Sequence, residues 1–261
     1  MLRRPLILAA LITTVITTSM LAGSAHAQTP TRLADLPSTD AYRACIIQTQ
    51  ENPEAGFEAA IAWRDEGGGP PALHCVALAL FGLGQMEEAA DRLEELATEI
   101  PDASNAERAS ILGQAGSVWL RLRKLGRAHE LLSKSIELDG GDPELWIDRG
   151  EVLARGGEYW EAIDDFSSAL DRAPGHLDAL IFRAAAYRLL DINDLARDDI
   201  DRVLDVAPEQ PDALVELGAL YRKSGALDDA RAVWLQVIDN VPGSPAAKAA
   251  QSGIEQMDVK R

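Results

Sequence analysis

Residues that commonly catalyse reactions or bind metals are scarce in this chain. Its 261 residues include four histidines and two cysteines, and His74, His129 and His176 lie in separate parts of the sequence. The sequence has no zinc-protease, nucleophile-elbow, P-loop or dinucleotide-binding motif. The aspartate-rich stretch 191–201 lacks the central glycine and the closing glutamate of an EF-hand loop. We therefore expect no enzyme activity, no cofactor and no metal site, with a hydrolase or a transferase as a remote alternative.

Positive charge is also in short supply. The chain has 25 lysines and arginines against 42 aspartates and glutamates, which gives a net charge of −17. An acidic surface of this kind repels phosphate backbones and anionic lipid head groups, so we expect no nucleic-acid partner. The acidity favours a basic partner segment, although aspartate and glutamate also fill the solvated faces of ordinary helices.

Long apolar stretches are missing after the first 27 residues. An uncharged stretch, residues 6–22, follows Arg3 and Arg4 and precedes the small residues around Ala27. This order is typical of a secretory signal peptide that is cleaved after Ala27, and an uncleaved membrane anchor is the alternative. Cleavage would change the net charge from −17 to −19. We expect an exported protein without stable membrane insertion, periplasmic in a Gram-negative bacterium and otherwise secreted.

What the sequence does contain is a 34-residue period between residues 70 and 244. The repeat that begins at Pro143 carries Trp146, Gly150, Ala162 and Phe166 as landmarks. The same residue classes recur in register in the preceding repeat and in the two that follow. The equivalents are Leu112, Gly116, Ala128 and Leu132, then Leu180, Ala184, Ala196 and Ile200, then Leu214, Gly218, Ala230 and Trp234. A fixed period of this length predicts a solenoid of stacked units.

Each repeat reads as two helices. Apolar or small residues at the fourth, eighth and eleventh positions, and at the seventh in two of the four regular repeats, give the first helix a period near 3.6. Small residues at the eighth and twentieth positions let two backbones approach, since a bulky side chain there would force the helices apart. Proline at position thirty-two ends the second helix in three of the four regular repeats, with Gly140 in its place in the first.

These residues resemble the tetratricopeptide repeat, whose pattern is W-x2-L-G-x2-Y, then A-x3-F, then P. The resemblance covers residues 109–244 strongly, 70–103 well and 40–66 weakly. It implies an all-α fold, a right-handed superhelical solenoid of antiparallel helix pairs. It also implies a scaffold that binds a protein or peptide on its concave face.

The period predicts how the chain is organised. A cap must follow the last repeat, because that repeat would otherwise expose its apolar flank. The predicted segments are a signal peptide (1–27), a flexible leader (28–39), a divergent helix pair (40–69), a repeat-like unit (70–103), four regular repeats (109–142, 143–176, 177–210 and 211–244), and a capping helix with a tail (245–261).

The two cysteines, Cys45 and Cys75, fall at equivalent positions in the first helices of the two N-terminal units. An even number of cysteines in an exported protein suggests a disulfide. Packed helices lie about 8–10 Å apart, whereas a disulfide needs Cα atoms within about 7 Å, so a bridge requires a local shift. Two buried free thiols are the alternative.

Two arginines depart from the family pattern at the seventh position, where leucine is usual. Arg149 and Arg183 each occur together with an aspartate at position twenty-three, Asp165 and Asp199 respectively. Repeats without the arginine have Leu131 or Val233 there instead. We therefore predict two partly buried ion pairs within repeats, Arg149–Asp165 and Arg183–Asp199, with chance pairing over four repeats as the alternative.

A row of basic residues is predicted on the inner wall that the resemblance implies. It comprises Arg121, Arg155, Arg188, Arg222 and Lys223 at the twelfth and thirteenth positions. Together with Ile147, Ile181 and Val215 at the fifth position, they would bind acidic and apolar groups of a partner. Bases near helix C-termini also interact favourably with the helix dipole, which explains the row equally well.

One subfamily, which binds chaperone C-termini, needs asparagine at the ninth position. Ser117, Glu151, Ala185 and Ala219 stand there in the regular repeats, so we do not expect that activity. A structural module that self-associates through a terminal repeat is the second candidate function. The sequence does not identify the partner, and the oligomeric state stays open.

Overall fold

The computed structural model describes residues 40–100 and 102–258, which belong to one compact unit. The predicted signal peptide (1–27) and leader (28–39) lie outside the described residues. The described part contains thirteen α-helices and no β-strand. The helices are α1 (Asp40–Glu51), α2 (Pro53–Asp65), α3 (Gly69–Gly82), α4 (Met86–Glu99), α5 (Asn105–Arg121), α6 (Leu125–Leu138), α7 (Pro143–Gly156), α8 (Tyr159–Arg172), α9 (Leu177–Leu189), α10 (Asn193–Val206), α11 (Pro211–Ser224), α12 (Leu227–Asn240) and α13 (Pro245–Asp258).

Each helix packs against the next one in sequence, as in an all-α solenoid of helix pairs. The sequence period appears in the helix starts, because Pro143, Leu177, Pro211 and Pro245 begin α7, α9, α11 and α13. Proline suits the first helical position, since its fixed φ fits a helix and its missing N–H would be unpaired there in any case. The N-cap side chains of Asp142 and Gln210 accept hydrogen bonds from backbone N–H groups in the first turns of α7 and α11.

Small residues set the spacing between the two helices of a pair. The alanines at the twentieth position, Ala128, Ala162, Ala196 and Ala230, are all 0% exposed. A methyl group added to Gly150 would lie 2.6 Å from the ring of Phe166, and one added to Gly218 would lie 2.3 Å from Trp234. The glycines therefore allow a large side chain of the second helix to reach the backbone of the first.

Helix α5 differs from the other first helices of the regular repeats. Residues 104–108, which the period leaves outside the repeats, supply its cap and first turn. The Ser104 side chain accepts a hydrogen bond from the Glu107 backbone, and the Glu107 carboxylate accepts one from the Ser104 N–H at 2.7 Å. This reciprocal capping box begins the helix four residues before the repeat starts at Ala109.

The chain ends on a helix that occupies the place of a further first helix. Helix α13 packs against both α11 and α12, and it buries Ala246, Ala250, Ile254 and Met257. Gly253 of α13 lies so close to Trp234 that an added methyl group would be 2.7 Å from its ring. The exposed side of α13 is polar, so the apolar flank of the last pair is covered.

The first two units are joined by a disulfide. Cys45 of α1 and Cys75 of α3 are bridged, with Cα atoms 6.4 Å apart. Both cysteines are buried, and they lie in a cluster with Tyr42, Ala60 and Leu80. The separation is smaller than ordinary helix packing gives, so α1 and α3 approach each other closely at this point.

Candidate partner-binding face

The first helices form a continuous side of the molecule. Helix α1 contacts α3, and in the regular array α5 contacts α7, α7 contacts α9, α9 contacts α11 and α11 contacts α13. The resemblance to the tetratricopeptide repeat predicts that positions two, five, nine, twelve and thirteen of each repeat line the concave face. The term concave face is used below for the residues at those positions. A face built from successive first helices can contact an extended segment along its whole length.

The predicted basic row lies on this face but does not form an unpaired positive strip. Arg121 places its guanidinium 5.5 Å from the ring centre of Phe81. Nε of Arg155 donates to Glu151 at 2.8 Å, one turn away on the same exposed helix surface. An exposed pair of this kind contributes little to stability and is easily exchanged for a partner's carboxylate.

The other three bases converge at the C-terminal end of the face. Arg188 of α9, Arg222 and Lys223 of α11 line a cavity of about 480 Å³ together with Ala219, Leu227, Gln256 and Met257. This group of lining residues is called the C-terminal cavity below. Its lining residues come from the first helices α9 and α11, from the start of α12 and from the capping helix α13.

Two of these bases are held by acids. Nε and Nη2 of Arg188 donate to the two carboxylate oxygens of Glu216 at 2.6 and 3.2 Å. Nζ of Lys223 lies 2.5 Å from Asp191 and also donates to the Arg188 carbonyl oxygen. Nη1 of Arg222 donates to the neutral amide oxygen of Gln256 at 2.8 Å. The fixed geometry of the arginine fork makes it a specific donor for carboxylates.

The apolar part of the predicted wall is corrected by the structure. Ile147 and Ile181 are each 4% exposed and lie in the same core cluster as Leu180 and Ala184. Neither can contact a partner, because the fifth position packs into the junction between neighbouring repeats. Val215, the equivalent residue of the last repeat, is partly buried. The face is therefore more polar than the sequence pattern predicts.

The two predicted ion pairs are present as bidentate contacts. Arg149 donates to both carboxylate oxygens of Asp165 at 2.7 Å, and Arg183 donates to both oxygens of Asp199 at 2.8 Å. The aspartates are nearly fully buried, at 4% and 3% exposed. Hydrogen bonding to Asp199 is the main cause that raises the pKa of Arg183. These arginines join the two helices of a repeat and are not available to a partner.

Each of these arginines also reaches the preceding repeat. Nη1 of Arg183 donates to the Ser167 hydroxyl at 3.0 Å, and Nη1 of Arg149 lies 3.4 Å from the Ser133 hydroxyl. The arginine therefore bonds two successive second helices at once. This link between repeats was not predicted from the seventh and twenty-third positions alone.

Asp148 is a half-buried acid at the α5–α7 junction, and no sequence motif marks it. Ser117 of α5 hydrogen-bonds to its carboxylate, and the same hydroxyl lies 3.0 Å from the Gly113 carbonyl oxygen. Burial raises the pKa of Asp148 to about 6, and Glu151 and Glu144 add to the rise. A protonated Asp148 could donate to the Ser117 oxygen while Ser117 donates to Gly113, so both groups would be satisfied.

A second polar junction links the first helices of the three N-terminal units. The Tyr42 hydroxyl lies 2.6 Å from Nδ1 of His74, and Nε2 of His74 lies 2.8 Å from Oε1 of Gln114. A neutral His74 that accepts from Tyr42 and donates to Gln114 satisfies both contacts. Burial lowers the pKa of His74, which favours this neutral form. The sequence showed no partner for His74, because its two contacts come from residues 32 and 40 positions away.

The other two described histidines, His129 and His176, lie on different elements. His129 lies on α6, whereas His176 caps α9 and contacts Glu144 at 2.8 Å. Among the described residues, no group of three or more His, Cys, Asp or Glu side chains is arranged to hold a metal ion. None of the described helices is long and apolar enough to cross a bilayer.

A family model supports the repeat pattern. The model of the tetratricopeptide repeat matches residues 114–176 and 184–245, which cover most of the four regular repeats and end one residue after the last of them. No curated protein sequence matches the chain.

Solved structures resemble the fold over most of its length. PilF of Pseudomonas aeruginosa is similar over 85% of this chain and 96% of its own, with a TM-score of 0.67 and 15% identity. MamA of Desulfovibrio magneticus RS-1 covers 66% of this chain and 98% of its own, with a TM-score of 0.55 and 17% identity. YrrB, described as a TPR protein with an unusual peptide-binding site, is similar over 67% of this chain and 88% of its own, with a TM-score of 0.54 and 20% identity. At these identities the likeness concerns the fold alone.

Proposed function

Because this chain belongs to the tetratricopeptide repeat family, we propose that it is a non-catalytic scaffold that binds a protein or peptide on its concave face. The observation that carries the proposal is the series of first helices, α5, α7, α9, α11 and α13, in which each helix contacts its neighbour. Such a side offers one uninterrupted surface to an extended or helical segment. Proteins of this fold act generally as binding scaffolds, and YrrB is described as having a peptide-binding site.

The charges on this face support a partner with carboxylates. Arg155, Arg222 and Lys223 lie there in a chain whose net charge is −17. The acids Glu151 and Asp191 now pair with Arg155 and Lys223, and they would be displaced or shared when a partner's carboxylate arrives. A partner segment with spaced acidic groups and a few apolar side chains fits these contacts.

We place the protein in the cell envelope. The proposal is supported by the signal-like residues 1–27 of the sequence. A disulfide between Cys45 and Cys75 fits an oxidising compartment. N-terminal sequencing of the protein from its native cells should begin at Gln28, and an intact Met1 would reject export by cleavage.

A capture experiment tests the binding face. Immobilised protein is incubated with envelope extract, and the bound proteins are identified by mass spectrometry. We expect the triple variant Arg155→Glu, Arg222→Glu, Lys223→Glu to lose the partner that the unaltered protein captures. Lys134→Glu is the control for a charge reversal away from this face, because Lys134 is an exposed base on the second helix α6. Equal capture by the triple variant and the control would reject the concave face as the binding site.

Light scattering separates this function from self-assembly. A scaffold for another protein should show a monomer mass that does not change with concentration. A mass that rises with concentration, and that falls again when residues at a terminal unit are changed, would favour the self-associating module.

A further inference from the structure

We propose that the C-terminal cavity is a carboxylate-binding site for an acid group on a short apolar chain. This inference rests on the proposed function, since the cavity lies on the same concave face, and it names the chemistry of one subsite. The three bases and the acids that pair with them supply the first argument. Among the described residues, the acids that form ion pairs with Arg188, Arg222 and Lys223 are Glu216 and Asp191, so three bases face two acids in this group.

Donor groups remain for a ligand after the internal contacts are made. The contacts of Arg188 with Glu216 use Nε and Nη2, and the contact of Arg222 with Gln256 uses Nη1. Nη1 of Arg188 and Nε and Nη2 of Arg222 therefore keep N–H groups that can donate to an incoming anion. A carboxylate has up to four lone-pair positions for such donors.

The bases are held in position before any ligand binds. The bidentate contact between Arg188 and Glu216 joins α9 to α11, and both side chains are largely buried. The guanidinium of Arg222 lies 5.7 Å from the ring centre of Trp234. Little side-chain freedom would be lost on binding, which favours affinity for a small ligand.

The remaining lining residues determine which anions fit the cavity. Ala219, Leu227 and Met257 contribute an apolar portion of the wall, so a simple inorganic anion would leave it unfilled. The volume of about 480 Å³ lies within the range of small-molecule sites and holds an acid with a short alkyl chain. A free organic acid and the C-terminal residue of a polypeptide share this chemistry.

Arg155 provides the contrast within the same basic row. It pairs with Glu151 of its own helix on an exposed surface and does not line the cavity. A site that depends on the cavity should therefore depend on Arg222 and not on Arg155, although both residues are concave-face arginines.

The test uses sodium hexanoate and its uncharged analogue hexanamide as probes, with binding followed by NMR of the full mature chain. We expect hexanoate to shift the backbone amides of Ala219, Leu227 and Met257 and hexanamide to leave them unchanged. Arg222→Gln should weaken hexanoate binding by about tenfold or more, as expected for the loss of a charged hydrogen bond. Lys223→Gln is a second variant in case the first disturbs packing against Trp234, and Arg155→Gln is the control.

Two tetrapeptides ending in leucine, one with a free C-terminal carboxylate and one amidated, distinguish the sources. Tighter binding of the acid peptide than of hexanoate identifies a polypeptide C-terminus, and equal affinity identifies a free acid. Equal shifts with hexanoate and hexanamide, or an unchanged hexanoate affinity in both cavity variants, would overturn the proposal. Partner capture that survives in those variants would leave the scaffold function standing, so the two failures are distinguishable.

Discussion

The N-terminal region, α1–α4, and the regular array, α5–α13, are held together by different means. In the array, each repeat packs a small residue against a large one at the same positions, and the two central repeats add an Arg–Asp pair. The N-terminal region departs from that pattern and carries the disulfide and the contacts of His74 instead. Where the repeat pattern is weak, specific links between adjacent first helices take its place.

The largest expected effect concerns the disulfide. Replacing Cys45 and Cys75 by serine opens a bridge across 30 positions, and the chain-entropy model assigns such a loop about 3–4 kcal/mol. We expect hydrogen exchange to accelerate in residues 40–99 while residues 143–240 keep their protection. A thiol assay on protein from the native compartment should find no free thiol. Two free thiols would refute the bridge, and equal loss of protection in both regions would refute the division into two differently held parts.

The central repeats provide the next comparison. Asp165→Leu leaves Arg149 without its carboxylate in a largely buried site, which should lower the free energy of unfolding by about 3 kcal/mol. The double variant Arg149→Leu, Asp165→Leu imitates the apolar pair Leu217 and Val233 of the last repeat and should recover most of that loss. Urea unfolding of the single and double variants measures both values. A double variant as unstable as the single one would mean that the pair itself is required, and that the array does not tolerate apolar residues at these two positions.

The smallest effect concerns pH, and its sign differs between the two regions. In the folded state the pKa of Asp148 is raised from 3.8 to about 6. The stability that its protonation contributes is therefore complete below pH 3.8 and is lost as the pH rises through 6. The pKa of His74 is lowered from 6.5, so its contribution is complete above that pH and is lost as the pH falls. We therefore expect acidification from pH 7.5 to 5 to stabilise the Asp148 junction and to weaken the His74 junction.

Variants at the two residues measure this contrast separately. Asp148→Asn imitates the protonated acid and should raise the free energy of unfolding at pH 7.5 by on the order of 2 kcal/mol, with a smaller gain at pH 5. His74→Gln removes the titrating group of the N-terminal junction and should reduce the loss of stability in acid. Urea unfolding at both pH values provides the numbers. A gain for Asp148→Asn that is the same at both pH values would contradict the assignment.

Much of the fold could be predicted, because the period acts at short range. Helix starts at Pro143, Pro211 and Pro245 follow from local backbone preferences, and Ala162 facing Phe166 follows from a recurring size pattern. The all-α solenoid was therefore confirmed. The Arg149–Asp165 pairing was also accessible, since both positions recur together and lie on the two helices of one repeat.

The candidate site was harder to predict, because it depends on contacts between repeats. The fifth position was expected to face a partner, but Ile147 and Ile181 are buried in the junctions. The basic row was expected along the whole face, but Arg188, Arg222 and Lys223 converge in one cavity. The raised pKa of Asp148 comes first from its burial at the junction between α5 and α7, and its contact with Ser117 comes from a residue 31 positions away.

The amino-acid sequence by itself determined the period, the helix pairs and the residues that separate or join them, because these depend on side-chain size and backbone preference within one repeat. Only the tertiary structure decided which charged groups meet, how deeply each is buried and where a cavity forms. Those properties depend on distances between residues of different repeats, and small shifts at each junction change the surroundings of every group on the face.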